Sequence, residues 1–597
     1  MSRRAKNILF IMCDQLRADH LSCYGHPRLH TPNLDALAAR GVVFDRAYVQ
    51  SPVCGPSRMS YYTGRYMHAH GASWNFVPLK AGEMTIGDHL RPLGVRSVLV
   101  GKTHMRADHA GMSRLGIDPT TPIGVRIGEC GFEPFERDDG IHPYSGHDPD
   151  PAYQAYLRRH GFGGDNPWEA WANTVTEPDG TLRSGWFLKY SHLPARVPDK
   201  HSETAYTTDR AIDFIRGAGR QPWLLHLSYI KPHWPYVAPA PYAGIYGAAD
   251  ALPMVRSDAE RADPHPVYRA MMNHRVSRTF AEPGIREAVM QGYMALVKQL
   301  DDHIGRLLKF LDEQGLTERT MIVFCSDHGD YLGDHWLGDK DMFHEPVVRT
   351  PLIVVDPDAR ADANRGSRSA ALVEAIDLAP TFLQAMGGAA VPHVIDGRAL
   401  QPLLHASAPG QVPDDWRRHA VSEIDFSFQD ARIELGTASR DAWMRMICSE
   451  RWKYVHVEHH RPMLFDLASD PQELVDLGAS PAAEHAEARA MMHEALFAWA
   501  RRPRQRVTVP DALIETTEVQ ARIAEAGVLI GYRDEADLAE QRQRFKPRFA
   551  SSNPLVRSTL DRLTGRHDGG DTLPGKPAGI CLHTPTDPRP ATPEPVA

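Results

Sequence analysis

The sequence predicts an α/β fold: a large, mostly parallel central sheet flanked by helices, with a smaller C-terminal α+β subdomain. Three observations carry this. Short apolar runs alternate with helical patterns over roughly the first 400 residues. The runs are near-continuous Val, Ile and Leu, as strands buried on both faces require. After about residue 415 the pattern shifts to shorter, closely spaced strands.

Taken in order, the strand candidates are Ile8–Cys13, Arg96–Gly101, Trp223–Tyr229, Met321–Ser326 and Pro351–Val355. Helical spacing fits Asn33–Arg40, Ser202–Arg216, Ile285–Gln314 and Asp377–Met386, with Thr31 or Asn33 as the cap of the first. Residues 106–200 are rich in Gly, Pro, Asp and Trp, and read as a long irregular insertion covering an active site. Ala442–Cys448, Tyr454–Val457 and Met463–Asp466 read as short antiparallel strands, followed by a helix over Ala482–Arg501. The expected organisation is a catalytic domain at 1–415, a subdomain with its extension at 416–548, and a disordered Gly/Pro-rich tail at 549–597. The charged stretch Glu518–Arg544 is expected to be partly helical, and could be an arm in a homo-oligomer.

Composition narrows the function. The chain has 597 residues, 42% of them hydrophobic, and a net charge of −8, which argues against binding nucleic acid by bulk charge. No stretch approaches the ~20 apolar residues of a membrane span. The apolar run after the basic N-terminus stops at Asp14, short of a signal peptide. Seven cysteines without a CxxC pair do not form a disulfide framework, so reduced thiols and a cytoplasmic location are expected. The 31 histidines are an excess that composition alone leaves unexplained.

Four clusters carry chemistry. Asp14-Gln15 follows the first strand, where open α/β sheets bind ligands, although a lone aspartate there also reads as a turn or cap. Cys54-Gly55-Pro56-Ser57-Arg58 places a cysteine at a helix start that favours anions, with Arg58 as a fork of donors; alone, such a cysteine is usually inert. Asp327-His328 follows the strand ending at Ser326, with Lys340 13 residues after Asp327. That pair suits Mn²⁺, Zn²⁺ or, less readily, Ca²⁺, and otherwise reads as a turn. Lys102 and His104 follow Val100, Lys231 and His233 follow Tyr229, and Asn75 lies 21 residues beyond Cys54. Singly these are ordinary solvated residues. Together they follow separate strands that one sheet edge could gather.

With these motifs in place, the stretch from Asn7 to about Asp476 resembles the sulfatases of the alkaline phosphatase superfamily. The resemblance rests on Cys54-x-Pro-x-Arg58, Thr63-Gly-Arg-Tyr66, Gly101-Lys-x-His104, Lys231-Pro-His-x-Pro235 and Ser326-Asp-His-Gly329. It implies conversion of Cys54 to formylglycine by a formylglycine-generating enzyme. It implies one divalent metal (Ca or Mn, Zn fitting less well) held by Asp14, modified Cys54, Asp327 and His328. Arg58 would hold the formylglycine hydrate, and Lys102, His104, His233 and Lys340 would surround the sulfate and its leaving group. Either histidine could protonate the leaving oxygen.

Asn75 matches an active-site asparagine of the phosphonate monoester hydrolase branch, the closest in texture. Those enzymes carry Tyr and Thr where this chain has Lys102 and His104, the sulfatase choice. Gln15 and His328 also depart from the Asp and Asn of many sulfatases, which puts the assumption of Ca²⁺ in question and admits Mn²⁺ beside it. The expected function is hydrolysis of small-molecule sulfate monoesters, arylsulfatase-like. The alternatives are phosphonate monoester or phosphodiester hydrolysis on the same scaffold, or a non-catalytic anion- or metal-binding protein. Asp139, His147 and Trp171 are candidate substrate contacts in the covering region.

Overall fold

The computed structural model describes residues 4–146, 151–502, 507–510, 531 and 533–545. Met1–Thr508 form one compact unit and Val509–Ala597 a second. In the second, the Glu535–Phe545 helix is described. His147, most of the charged stretch before that helix, and the 549–597 tail lie outside the described residues.

The first unit is built on a nine-stranded mixed sheet. Its strands are β1 (Asn7–Asp14), β2 (Val42–Tyr48), β3 (Arg96–Gly101), β4 (Glu133–Arg137), β7 (Trp223–Pro232), β8 (Thr320–Ser326), β9 (Arg349–Thr350), β10 (Leu352–Val355) and β11 (Ser367–Glu374). A two-stranded hairpin, β5 (Thr174–Thr176) and β6 (Leu182–Ser184), lies apart from it. The order is β11-β2-β10-β8-β1-β7-β3-β4, with β9 beside β2. β8, β1, β7, β3 and β4 run parallel, as β2 and β11 do. β10 is antiparallel to both its neighbours and β9 is antiparallel to β2, so the sheet is mostly parallel, as expected, with these two strands reversed. An apolar run such as Leu352–Val355 records burial on both faces but not strand direction.

The sheet is covered on both faces because side chains alternate. Ile8, Phe10 and Met12 enter one core, and Leu9, Ile11 and Cys13 the other. The first core packs against the Cys54–Thr63 and Leu378–Ala385 helices and a four-stranded antiparallel sheet. That sheet is β12 (Ala420–Asp425), β13 (Trp443–Cys448), β14 (Trp452–Val457) and β15 (Met463–Asp466). The second core packs against the Pro32–Arg40, Glu203–Gly217 and Ile285–Glu313 helices. Neither Thr31 nor Asn33 caps the first of these through its side chain. Asp301, from the 29-residue helix, accepts the N–H groups of Asn33 and Leu34 instead.

The 106–200 stretch is more ordered than its composition suggested. It supplies β4, three short helices and the hairpin. Tyr153, Leu157, Trp168 and Val175 give it a core of its own. Among the described residues no helix is long and apolar enough to cross a membrane, and the six described cysteines are free.

Candidate active site

Four adjacent parallel strands, β8, β1, β7 and β3, end side by side. Asp14 closes β1, Asp327 and His328 follow β8, His233 follows β7, and Lys102 follows β3. The Cys54–Thr63 helix, buried over its whole length, brings Cys54 to this edge as its first residue. Asn75 Oδ1 accepts the Gly55 N–H at 2.8 Å, satisfying one open donor of that helix start.

Asp14, Cys54, Asp327 and His328 form one buried group, with ligand atoms within 4.8 Å of one another. His328 Nε2 lies 3.0 Å from Cys54 Sγ. Its Nδ1 is 2.8 Å from the Gly329 carbonyl, so Nδ1 carries the proton and the Nε2 lone pair faces the group. Two carboxylates, one imidazole lone pair and the residue-54 side chain form a donor set suited to a divalent ion.

Arg58 is buried and gives every nitrogen a partner. Nε donates to Asp327 at 2.8 Å, Nη2 to Asp14 at 3.3 Å, and Nη1 to the Lys102 carbonyl at 2.9 Å and Ser228 Oγ at 2.7 Å. Its guanidinium therefore aligns the two carboxylates. Lys102 Nζ lies 2.5 Å from Asp14 Oδ2. Burial and Cys54 would raise the Asp14 carboxyl, but Lys102, His233 and Arg58 together hold it below its usual range. Burial alone would raise the Cys54 thiol; Lys340, His328 and Lys102 pull it well down, and His104 adds to this through a hydrogen bond. Lys340 and Lys102 thus favour negative charge at residue 54.

Gln15 sits at φ 67° and turns its side chain away from the four-residue group. It donates to Asp330 at 2.6 Å and Asp339 at 2.9 Å, and accepts from Lys340 at 3.1 Å. The residue after Asp14 therefore anchors Lys340, a role that spacing did not reveal. His233 Nδ1 lies 2.7 Å from the Trp234 carbonyl, which turns Nε2 toward the site. Burial holds the His233 imidazole below its ordinary value, outweighing the attraction of Asp14. Lys231 braces the loop, donating to the Pro235 carbonyl at 2.9 Å.

Two suggested substrate contacts point elsewhere. Trp171 donates to the Gly163 carbonyl, with the Arg196 guanidinium 3.7 Å from its ring centre. Asp139 accepts the backbone N–H groups of Thr103 and His104. Sequence reasoning missed Ser228 and the Asp330–Asp339 pair, because their roles come from contacts with residues far away in the chain.

A buried carboxylate–imidazole–cysteine group ringed by Arg58, Lys102 and Lys340, at the strand ends of an α/β sheet, defines a hydrolase of anionic esters. Comparison with known proteins agrees. The sulfatase family profile matches residues 6–389, and the C-terminal profile of N-sulphoglucosamine sulphohydrolase matches residues 333–502. The chain is 32% identical over 500 residues to the multifunctional alkaline phosphatase superfamily protein PehA of Trinickia caryophylli, covering 80% of this chain and 92% of that protein. It is 25% identical to an arylsulfatase of Clostridium perfringens, over 79% of this chain and 90% of the relative. The phosphonate monoester hydrolase of Silicibacter pomeroyi superimposes with a TM-score of 0.72 at 29% identity, covering 84% of this chain and 96% of the other. The chain belongs to the sulfatase family.

Proposed function

We propose that this protein hydrolyses small-molecule sulfate monoesters through a formylglycine at position 54 and one divalent metal. The observation that carries the reading is Cys54 at a buried helix start, among Asp14, Asp327 and His328 and beside Lys102 and Lys340. A metal held by Asp14, Asp327, His328 and residue 54 would supply Lewis acidity, and a hydrated formylglycine would supply a nucleophilic hydroxyl with a second hydroxyl for release. Mn²⁺ fits a set in which Gln15 is turned away and His328 contributes nitrogen.

The protein's own residues do the rest. Lys102 and Lys340 hold the sulfate oxygens, and Arg58 aligns both metal-binding carboxylates. Asn75, whose oxygen is taken by Gly55, offers its amide nitrogen to the ester. The departing alcohol must gain a proton and residue 54 must lose one at release, and two histidines are at hand. Both His104 and His233 reach residue 54; of the two, His104 takes the proton that must leave position 54 at release. His233, fixed through Nδ1, presents Nε2 to the departing alcohol oxygen and protonates it.

Mass spectrometry of the Cys54 peptide, from a host that makes formylglycine, tests the mechanism together with an aryl sulfate assay. An unmodified thiol in fully active enzyme would refute it. A second reading, phosphonate monoester hydrolysis, is favoured by the 0.72 superposition. Higher kcat/KM for a phenyl phosphonate ester than for the matching aryl sulfate would put that reading first.

A further inference from the structure

We infer that Asp139 is a positioning residue that sets the imidazole of His104 for the release step; this rests on the role proposed for His104. β3 ends at Gly101, where φ is 103° and a Cβ would lie 1.9 Å from the Ser228 carbonyl oxygen. The chain must therefore turn sharply. Three residues later His104 has φ 53°, in the left-handed region that side-chain-bearing residues avoid. His104 Nδ1 is buried and has no hydrogen-bond partner among the described residues. No side-chain bond through that nitrogen anchors the ring, so its aim depends on the backbone.

That backbone is held by one carboxylate. Thr103 N and His104 N both donate to Asp139 Oδ1 at 3.0 Å. Oδ2 is taken by Arg137 Nη2 at 2.6 Å. The same guanidinium donates to the Met105 carbonyl at 2.9 Å and to Glu129 Oε1 at 2.8 Å, so it grips the chain just beyond His104 as well. Asp139 reaches the turn because β4 pairs with β3 in parallel, Arg137 opposite Gly101, and the two strands end together. Both Asp139 oxygens are thus engaged within the protein. Arg137 and His104 hold the carboxyl down at about 2 although burial alone would raise it, so the clamp is ionised throughout the working range.

The proposal predicts a defect confined to the second half-reaction. Attack by an ionised hydroxyl of residue 54 forms an O–S bond and breaks the S–O bond to the alcohol, whose oxygen takes a proton from His233. Release breaks the C–O bond joining sulfate to residue 54, sulfate leaving with the electron pair, while the second hydroxyl gives its proton to His104 and its oxygen forms the C=O of the aldehyde. Asp139→Ala should lower kcat about 30-fold and KM in proportion, leaving kcat/KM within about threefold, because a misaimed base slows only the later step. A burst of phenol should appear, and intact-protein mass spectrometry should show sulfate retained on the enzyme. Asp139→Asn keeps an oxygen for the two N–H groups and should recover most of kcat. His104→Ala should show the same burst more strongly, and adding Asp139→Ala to it should change little.

Loss of kcat/KM in Asp139→Ala without retained sulfate, alongside a burst in His104→Ala, overturns the inference and leaves the reading of His104 standing. Absence of a burst in His104→Ala itself removes that reading, and the inference with it. Should Asp139→Ala not fold, Asp139→Ser, whose shorter side chain falls back from both N–H groups, is judged by the same burst and mass measurements.

Discussion

Arg58 shows how one buried side chain can organise a site. Its planar fork lies between Asp14 and Asp327, and its remaining nitrogen secures the ends of β3 and β7 through the Lys102 carbonyl and Ser228. A lysine is a point charge on a flexible stem and can meet one of these partners but not all. Arg58→Lys should therefore leave one buried carboxylate uncompensated, lowering kcat/KM by about 1000-fold. The metal content of the purified protein, measured by elemental analysis, should fall with it. Full metal loading in an active Arg58→Lys variant would show that the carboxylates need no such alignment.

At the scale of elements, the small antiparallel sheet is joined to the catalytic edge by a buried charge. Lys453, on β14, places Nζ 2.8 Å from Glu345, 2.6 Å from Glu473 and 2.9 Å from the Phe343 carbonyl. Residues 343–345 follow closely on Lys340, so the sheet fixes the segment that carries this cation. Glu345 keeps Arg349 at 2.7 Å, but Lys453→Met leaves the buried Glu473 carboxylate without its cation and should destabilise the unit by about 3–5 kcal/mol in denaturant unfolding. A change below 1 kcal/mol would mean that the carboxyl simply takes up a proton.

How far the elements were legible depends on burial pattern. β1, β3, β7 and β8 were readable because unbroken apolar runs occur where both sheet faces are covered. β2 contains Asp45 and Arg46, β4 is Glu-Pro-Phe-Glu-Arg at an edge, and β11 begins Ser-Arg-Ser, so none shows such a run. The site was legible to the extent that its residues sit directly after readable strands. Gln15 and Asp139 were named as residues, but their work with Lys340 and His104 is set by partners up to 325 positions away.

The histidine excess takes on meaning only across the whole molecule. Beyond the active site, several imidazoles serve as neutral structural acceptors. His70 Nδ1 accepts the Ala72 N–H at 3.1 Å, His26 Nδ1 the Leu29 N–H at 2.8 Å, and His265 Nδ1 the Val267 N–H at 3.3 Å. His226 stacks between Phe10 and Phe132 and meets the Tyr62 hydroxyl at 2.8 Å. Burial lowers all four, to about 3 for His70 and His226 and about 4 for His26 and His265. Because these folded values lie below the unfolded value near 6.5, the unfolded chain binds protons first as pH falls. Their contribution is complete above about pH 6.5 and is lost progressively down to the folded values, about 2 kcal/mol for each fully buried imidazole by about pH 5. Calorimetry should therefore show a clear fall in Tm between about pH 7.5 and pH 5. His26→Asn keeps an oxygen acceptor for the same N–H groups but cannot titrate, so its fall should be smaller than that of the parent chain. An equal or larger fall in His26→Asn would mean that His26 does not contribute to the acid sensitivity.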